Sequence, residues 1–176
     1  MATRAGLRAA VAVIGLALVA GCGGETPPPA GGGGGAGGAA SSADAPIGIL
    51  KSPTDGLVVF IGNQCGDATY PTRVTVNNYD TAANSEKSPA VWDISTSRPN
   101  LLASLVIGKL PDGFNEVTNS IDEQGLGPVL RVQVVADGAQ AGVFDTGRAA
   151  DGQLVDARGN ITTIDEFRKR WGCGAK

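Results

Sequence analysis

The chain contains no histidine. That removes the Ser-His-Asp triad, the Cys-His pair and every His-ligated metal site at once. No serine has a lysine three residues on, so a Ser-x-x-Lys nucleophile is missing too. Basic residues are few: 14 Lys and Arg stand against 17 Asp and Glu, for a formal charge of −3. Binding nucleic acid takes clustered cations to displace counterions, so nucleic acid is not an expected partner. Aromatics are scarce, with 2 Trp, 2 Tyr and 4 Phe, and a core of this size absorbs most of them. Cysteine occurs three times, at Cys22, Cys65 and Cys173. There is no CxxC spacing, and Gly125-Leu126-Gly127-Pro128-Val129-Leu130 opens like a dinucleotide fingerprint but lacks its third glycine. No cofactor is expected.

Long apolar runs are also missing. The longest, Ala9 to Ala20, has 12 uncharged residues, against the roughly 20 needed to cross a bilayer as a helix. It follows Arg4 and Arg8 and ends in Val19-Ala20-Gly21-Cys22. A charged n-region, a short apolar h-region and small residues at its end form a secretory signal. With a cysteine closing it, the segment resembles the lipobox of bacterial lipoproteins: an aliphatic residue, two small ones, then Cys. The resemblance implies that residues 1–21 are a cleaved signal peptide. It also implies that the Cys22 sulfur receives a diacylglyceryl group, so that acyl chains hold the protein on the outer side of a membrane. Two or three chains anchor stably where one is marginal.

Cleavage before Cys22 removes two arginines and no acid, moving the formal charge from −3 to −5. Residues 22–46 then form a linker of Gly, Pro, Ala and Ser with almost no apolar side chain to offset ordering entropy. As a flexible Gly-rich coil, its 24 residues after the cysteine set an average reach of about 25–30 Å. Residues 47–176, 130 in number, suffice for one domain with one core, and no core residue is expected before Ile47. With Cys22 taken by lipid, Cys65 and Cys173 remain as an even pair outside the cytoplasm, most simply a disulfide. It would close a loop of 108 residues, a constraint of roughly 4–5 kcal/mol in the chain-entropy account.

Within this domain the pattern is mainly β. Leu57–Ile61 is a continuous β-branched run, as in a strand buried on both faces. Thr72–Asn77 and Ala90–Ser95 alternate, turning Val74, Val76, Trp92 and Ile94 inward. Leu101–Leu110, Val129–Ala136 and Ala141–Phe144 are further apolar segments, with turn signals at Asn77-Asn78, Ser97–Asn100, Pro111–Gly113 and Asp137-Gly138. The spacing predicts an antiparallel sandwich or barrel. Two long connections interrupt it, the polar residues 80–89 and residues 115–128, the latter with room for one helical turn. A short helix closes the chain: Thr163 and Glu166 fit a capping box, Ile164, Phe167 and Trp171 form one apolar stripe, and Gly172 ends it.

Chemistry has few carriers here. Asp145, Asp151 and Asp156 recur near glycines, but without the calcium-loop pattern. Paired carboxylates for a hydrolase are not detectable by spacing, because such pairs meet only in the fold. Trp92, Trp171, Tyr70 and Tyr79 are the candidates for an aromatic binding surface. Arg168-Lys169-Arg170 either complements the helix dipole or touches anionic lipid. The expected function is a membrane-anchored, extracytoplasmic, non-catalytic binding module for an envelope protein, a polymer or a small ligand. The alternatives are a carrier of an apolar cargo held between sheet and terminal helix, and a carboxylate-based hydrolase.

Overall fold

A computed structural model describes residues 43–63, 70–136 and 138–172. In chain order the strands are β1 (Ile47–Ser52), β2 (Gly56–Ile61), β3 (Arg73–Asp80), β4 (Ser85–Glu86), β5 (Trp92–Ser95), β6 (Ser104–Val106) and β7 (Asn115–Asn119). The helical turn α1 (Ile121–Gln124) leads to β8 (Val129–Val135), β9 (Ala139–Asp145), β10 (Leu154–Asp156), β11 (Ile161–Thr162) and α2 (Ile164–Trp171). All pairings are antiparallel and make two sheets. One runs β11-β10-β1-β2-β6, the other β7-β5-β3-β8-β9, with β4 added beside β3. The protein is therefore mainly β, a sandwich of two sheets with a short C-terminal helix.

Alternation explains the layers. Val74, Val76, Trp92, Ile94, Leu130, Val132, Val134 and Phe144 face inward from the larger sheet. They meet Ile47, Ile49, Val59, Ile61, Leu105 and Val155 from the smaller one. The intervening residues of the smaller sheet, Leu50, Val58, Phe60 and Leu154, form a second cluster on its other face, closed by Phe167 of α2. So β2 is buried on both faces, as its continuous apolar run predicts.

Helix α2 forms as its sequence predicts. Thr163 accepts a hydrogen bond from the Glu166 amide (3.2 Å), and the Glu166 carboxylate accepts from the Thr163 amide (3.0 Å). The capping box is complete. Hydrogen bonds from the Thr162 hydroxyl, and then from the Thr163 amide and hydroxyl, hold the Glu166 carboxyl below its ordinary value of 4.5. A depressed folded pKa adds stability above the unfolded value and loses it as pH falls through the folded one. The cap is thus fully formed above pH 4.5 and weakens below it. Thr163→Ala is expected to cost ~1 kcal/mol, read by urea titration, with the loss concentrated in the amide protection of α2.

Several sequence expectations change. Ala45, ahead of the boundary placed at Ile47, is buried in the core at 4% exposure. Residues 115–128 are not one loop: β7 pairs with β5 through its backbone, and α1 follows. Leu101–Leu110 yields only the three-residue β6. Asn77-Asn78 is not a turn, because β3 runs on to Asp80. The expected lipid site Cys22 and the expected disulfide partners Cys65 and Cys173 lie outside the described residues.

Candidate functional site

Two surfaces on opposite sides of the sandwich gather side chains suited to recognition: the outer face of the larger sheet and the edge of α2.

On the first, Val74 and Val76 point into the core, so Arg73, Thr75 and Asn77 point out. Strand register then lays a polar row across four strands. Thr75 lies opposite Gln133 on one side and Asp93 on the other, and Asp93 lies opposite Thr118. Asp93 is 4% exposed despite its charge. Arg73 holds it with two parallel hydrogen bonds, Nε to Oδ1 at 2.9 Å and Nη2 to Oδ2 at 2.5 Å. This planar fork fixes both charges in place, and Asp93 raises the Arg73 pKa above its ordinary value through those bonds and its charge. One row on, Asn77 lies opposite Arg131, which is buried and donates to Glu86 at 2.6 Å. The polar connection 80–89 is therefore a hairpin laid back on β3, with Glu86 covering Arg131 and the Asn77 side chain donating to the Lys87 carbonyl.

The second surface is an apolar groove of about 140 Å³ between the end of β2, the start of β6 and α2. Phe60, Ile61, Leu101, Phe167 and Trp171 line it. The Arg168 guanidinium sits at its rim, 5.8 Å over the Phe60 ring. Gly62 lets the helix end come this close, since a Cβ there would lie 2.5 Å from the Trp171 Cβ and 3.3 Å from the Pro46 Cβ. The Gly62 amide donates to the Pro46 carbonyl, and the Asn63 amide to the Trp171 carbonyl, both at 2.7 Å. Thus the N-terminal approach, the end of β2 and the last turn of α2 meet at one place. Asn63 and Trp171 each precede a cysteine, Cys65 and Cys173, by two positions.

Of the carboxylates singled out in the sequence, Asp145 ends β9 and the other two are engaged elsewhere. Asp156 is buried and accepts from the Arg158 and Asn160 amides (both 2.9 Å), the Asn160 side chain (3.1 Å) and Arg170 (3.2 Å). It organises the β10–β11 turn. Asp151 pairs with Lys51 at 3.4 Å. Lys109 holds the Asp55 carboxyl below its ordinary value, and the Ala83 and Ala82 amides do the same for Asp80. Every carboxyl that is displaced among the described residues moves down, whereas a general acid at neutral pH needs one moved up. Among the described residues no three of Asp, Glu and Cys converge as a metal set.

The four candidate aromatics are not brought together. Trp92 is in the core at 0% exposure, Trp171 is half-buried in the groove, Tyr70 is half-buried ahead of β3, and Tyr79 donates to Asn84 in the β3–β4 hairpin. The basic triplet divides as well, with Arg170 on Asp156, Arg168 over Phe60, and Lys169 exposed. Sequence reasoning missed the Arg73–Asp93 fork and the Gln133–Thr75–Asp93–Thr118 row. The available signal was the polar half of the alternation in β3 and β5. No family model, curated protein or solved structure matches this chain.

Proposed function

We propose that this chain is a lipid-anchored, extracytoplasmic binding module without catalysis, and that the outer face of its larger sheet is the recognition surface. Residues 1–21 direct export, Cys22 carries the lipid, and residues 23–46 give the domain its reach. The observation that carries the surface is the polar row through Asp93 and the fork by which Arg73 holds it. A buried carboxylate locked to Arg73, beside Thr75 and Gln133 on a rigid sheet, offers preset donors and acceptors to a flat polar partner. Such a partner is a protein or polymer of the envelope.

A disulfide between Cys65 and Cys173 belongs to the same reading. The Asn63–Trp171 hydrogen bond brings the main chain to within two residues of each cysteine, and a bridge needs Cα atoms closer than about 7 Å. The carrier reading draws less support. A groove of about 140 Å³ matches an apolar cavity of ~150 Å³ that takes a benzene, well short of a lipid chain.

The test is site-specific photocrosslinking in intact cells. A photoreactive phenylalanine at Gln133 is expected to give a discrete adduct that Arg73→Glu abolishes, while the same probe at Asp112 gives none. No adduct at Gln133, or the same adducts at both positions, overturns the assignment of the face. Cys22→Ala tests the anchor separately and is expected to move the folded protein from the membrane fraction to the soluble one.

A further inference from the structure

We infer that the last turn of α2 and the rim of the adjoining groove form a docking surface for an anionic bilayer, holding the domain in a set orientation on the membrane that anchors it. This rests on the lipid-anchored reading and deepens it. Three observations converge.

The first is position. Pro46, the last residue before β1, is hydrogen-bonded to Gly62, which packs against Trp171. Asp44, two residues earlier, is ion-paired with Arg158 of the β10–β11 turn. The tether therefore joins the domain beside the groove, and this is the end of the fold nearest the lipid.

The second is charge. Helix α2 is polarised, with Asp165 and Glu166 in its first turn and Arg168, Lys169 and Arg170 in its last. The basic end is the one at Gly62 and Pro46. Glu166 is consumed by the cap and Arg170 by Asp156, but Arg168 and Lys169 have no carboxylate within ion-pair distance among the described residues. Helix-dipole complementation explains why bases end the helix. It leaves Arg168 without an ion pair where the tether attaches, and Lys169 with only the longer-range attraction of Glu166.

The third is the apolar rim. Leu101 is 59% exposed beside Trp171 and Arg168. An indole and an exposed leucine beside the Arg168 cation are of the kind that settles at the headgroup level of a bilayer. A partner protein seated in the groove is the competing occupant. Nothing in the groove specifies one, whereas its place beside the tether, Arg168 at its rim and Lys169 next to it in the last turn of α2 favour the membrane surface.

The two tryptophans give a direct readout, because Trp92 is fully buried and only Trp171 can reach lipid. The mature chain, residues 22–176 with Cys22→Ala and an N-terminal His tag, is held on nickel-chelating vesicles, so attachment does not depend on native lipidation. Brominated phospholipids in vesicles containing phosphatidylglycerol are expected to quench Trp171. The quenching is expected to vanish in Trp171→Phe and in purely zwitterionic vesicles. It should also vanish at about 1 M salt, where the screening length falls to ~3 Å. Arg168→Ala/Lys169→Ala is expected to weaken docking ~30-fold, from about 1 kcal/mol per cation near an anionic surface, and Leu101→Ser to weaken it further. Vesicle-bound protein without quenching overturns the inference, as does quenching indifferent to lipid charge or to Arg168 and Lys169. A photocrosslink from Leu101 to a protein, with no quenching, assigns the groove to that protein instead. The mass of the N-terminal peptide from native membranes reports Cys22 lipidation independently, so failure of docking and failure of the anchor are told apart.

Discussion

Trp92→Ala is expected to cost about 3–5 kcal/mol, while Trp92→Phe costs less than about 1 kcal/mol. Trp92 is the largest fully buried side chain among the described residues. It stands on β5 between Val76 of β3 and Asn119 of β7, so its removal empties the middle of the inter-sheet core. Most of that cost is lost transfer energy plus a cavity that the flanking strands cannot close. Yet the indole nitrogen is buried with no hydrogen-bond partner, and an unsatisfied buried donor costs ~1–3 kcal/mol. Phenylalanine removes that donor along with one ring, so the two changes offset each other. At about 3–4 °C per kcal/mol for a domain of this size, Trp92→Ala should lower the melting temperature by roughly 10–20 °C. Trp92→Phe should leave it within a few degrees. Equal losses for the two variants would mean that the indole N–H is satisfied and the core is held by it.

This residue also marks how much of the fold is legible in the sequence. Alternation alone turns Trp92 and Ile94 inward, because strands buried on one face write their burial at a period of two. The same rule locates β3, the apolar segment Val129–Ala136 marks β8, and the capping box locates α2. What stays hidden has physical causes. Strand β7 (Asn115–Asn119) offers one apolar residue, Val117, and that residue is 54% exposed. An edge strand held by its backbone leaves no burial pattern to read. Strand β10 is three residues ending in Asp156, whose burial depends on Arg170 and Asn160 from later elements.

The candidate surface is half legible. Arg73 and Thr75 are visible as the polar side of an alternating strand. That Arg73 grips Asp93, 20 positions away, follows only from the β3–β5 register. The meeting of Pro46, Gly62 and Trp171 has no sequence signal at all, since it joins the two ends of the domain through a glycine whose lack of a side chain is its contribution.

Phe167→Ala is expected to remove about 3–5 kcal/mol and to undock α2. Phe167 is the one buried residue of the helix, and it closes the cluster of Leu50, Val58, Phe60 and Leu154. Its ring meets Phe60 edge to face at 6.4 Å. Strand β1 makes room for it with Gly48, where a Cβ would fall 2.6 Å from Leu154 Cδ2 and 3.1 Å from Phe167 Cε2. Gly48→Ala alone therefore overpacks the site, at ~1–3 kcal/mol. In the Phe167→Ala background the contact with the ring is gone, and Leu154, the methyl's nearest neighbour, can shift into the space the ring has left. The double variant is accordingly expected to be more stable than the sum of the two single losses, with a coupling of ~0.5–3 kcal/mol between residues in contact. Additive losses would show that the ring does not pack over Gly48. The functional consequence is separable from the stability loss. With α2 loosened, Trp171 leaves Gly62, and lipid quenching should fall in Phe167→Ala. Recognition at the Asp93 face, on the far side of the sandwich, should persist wherever the variant remains folded.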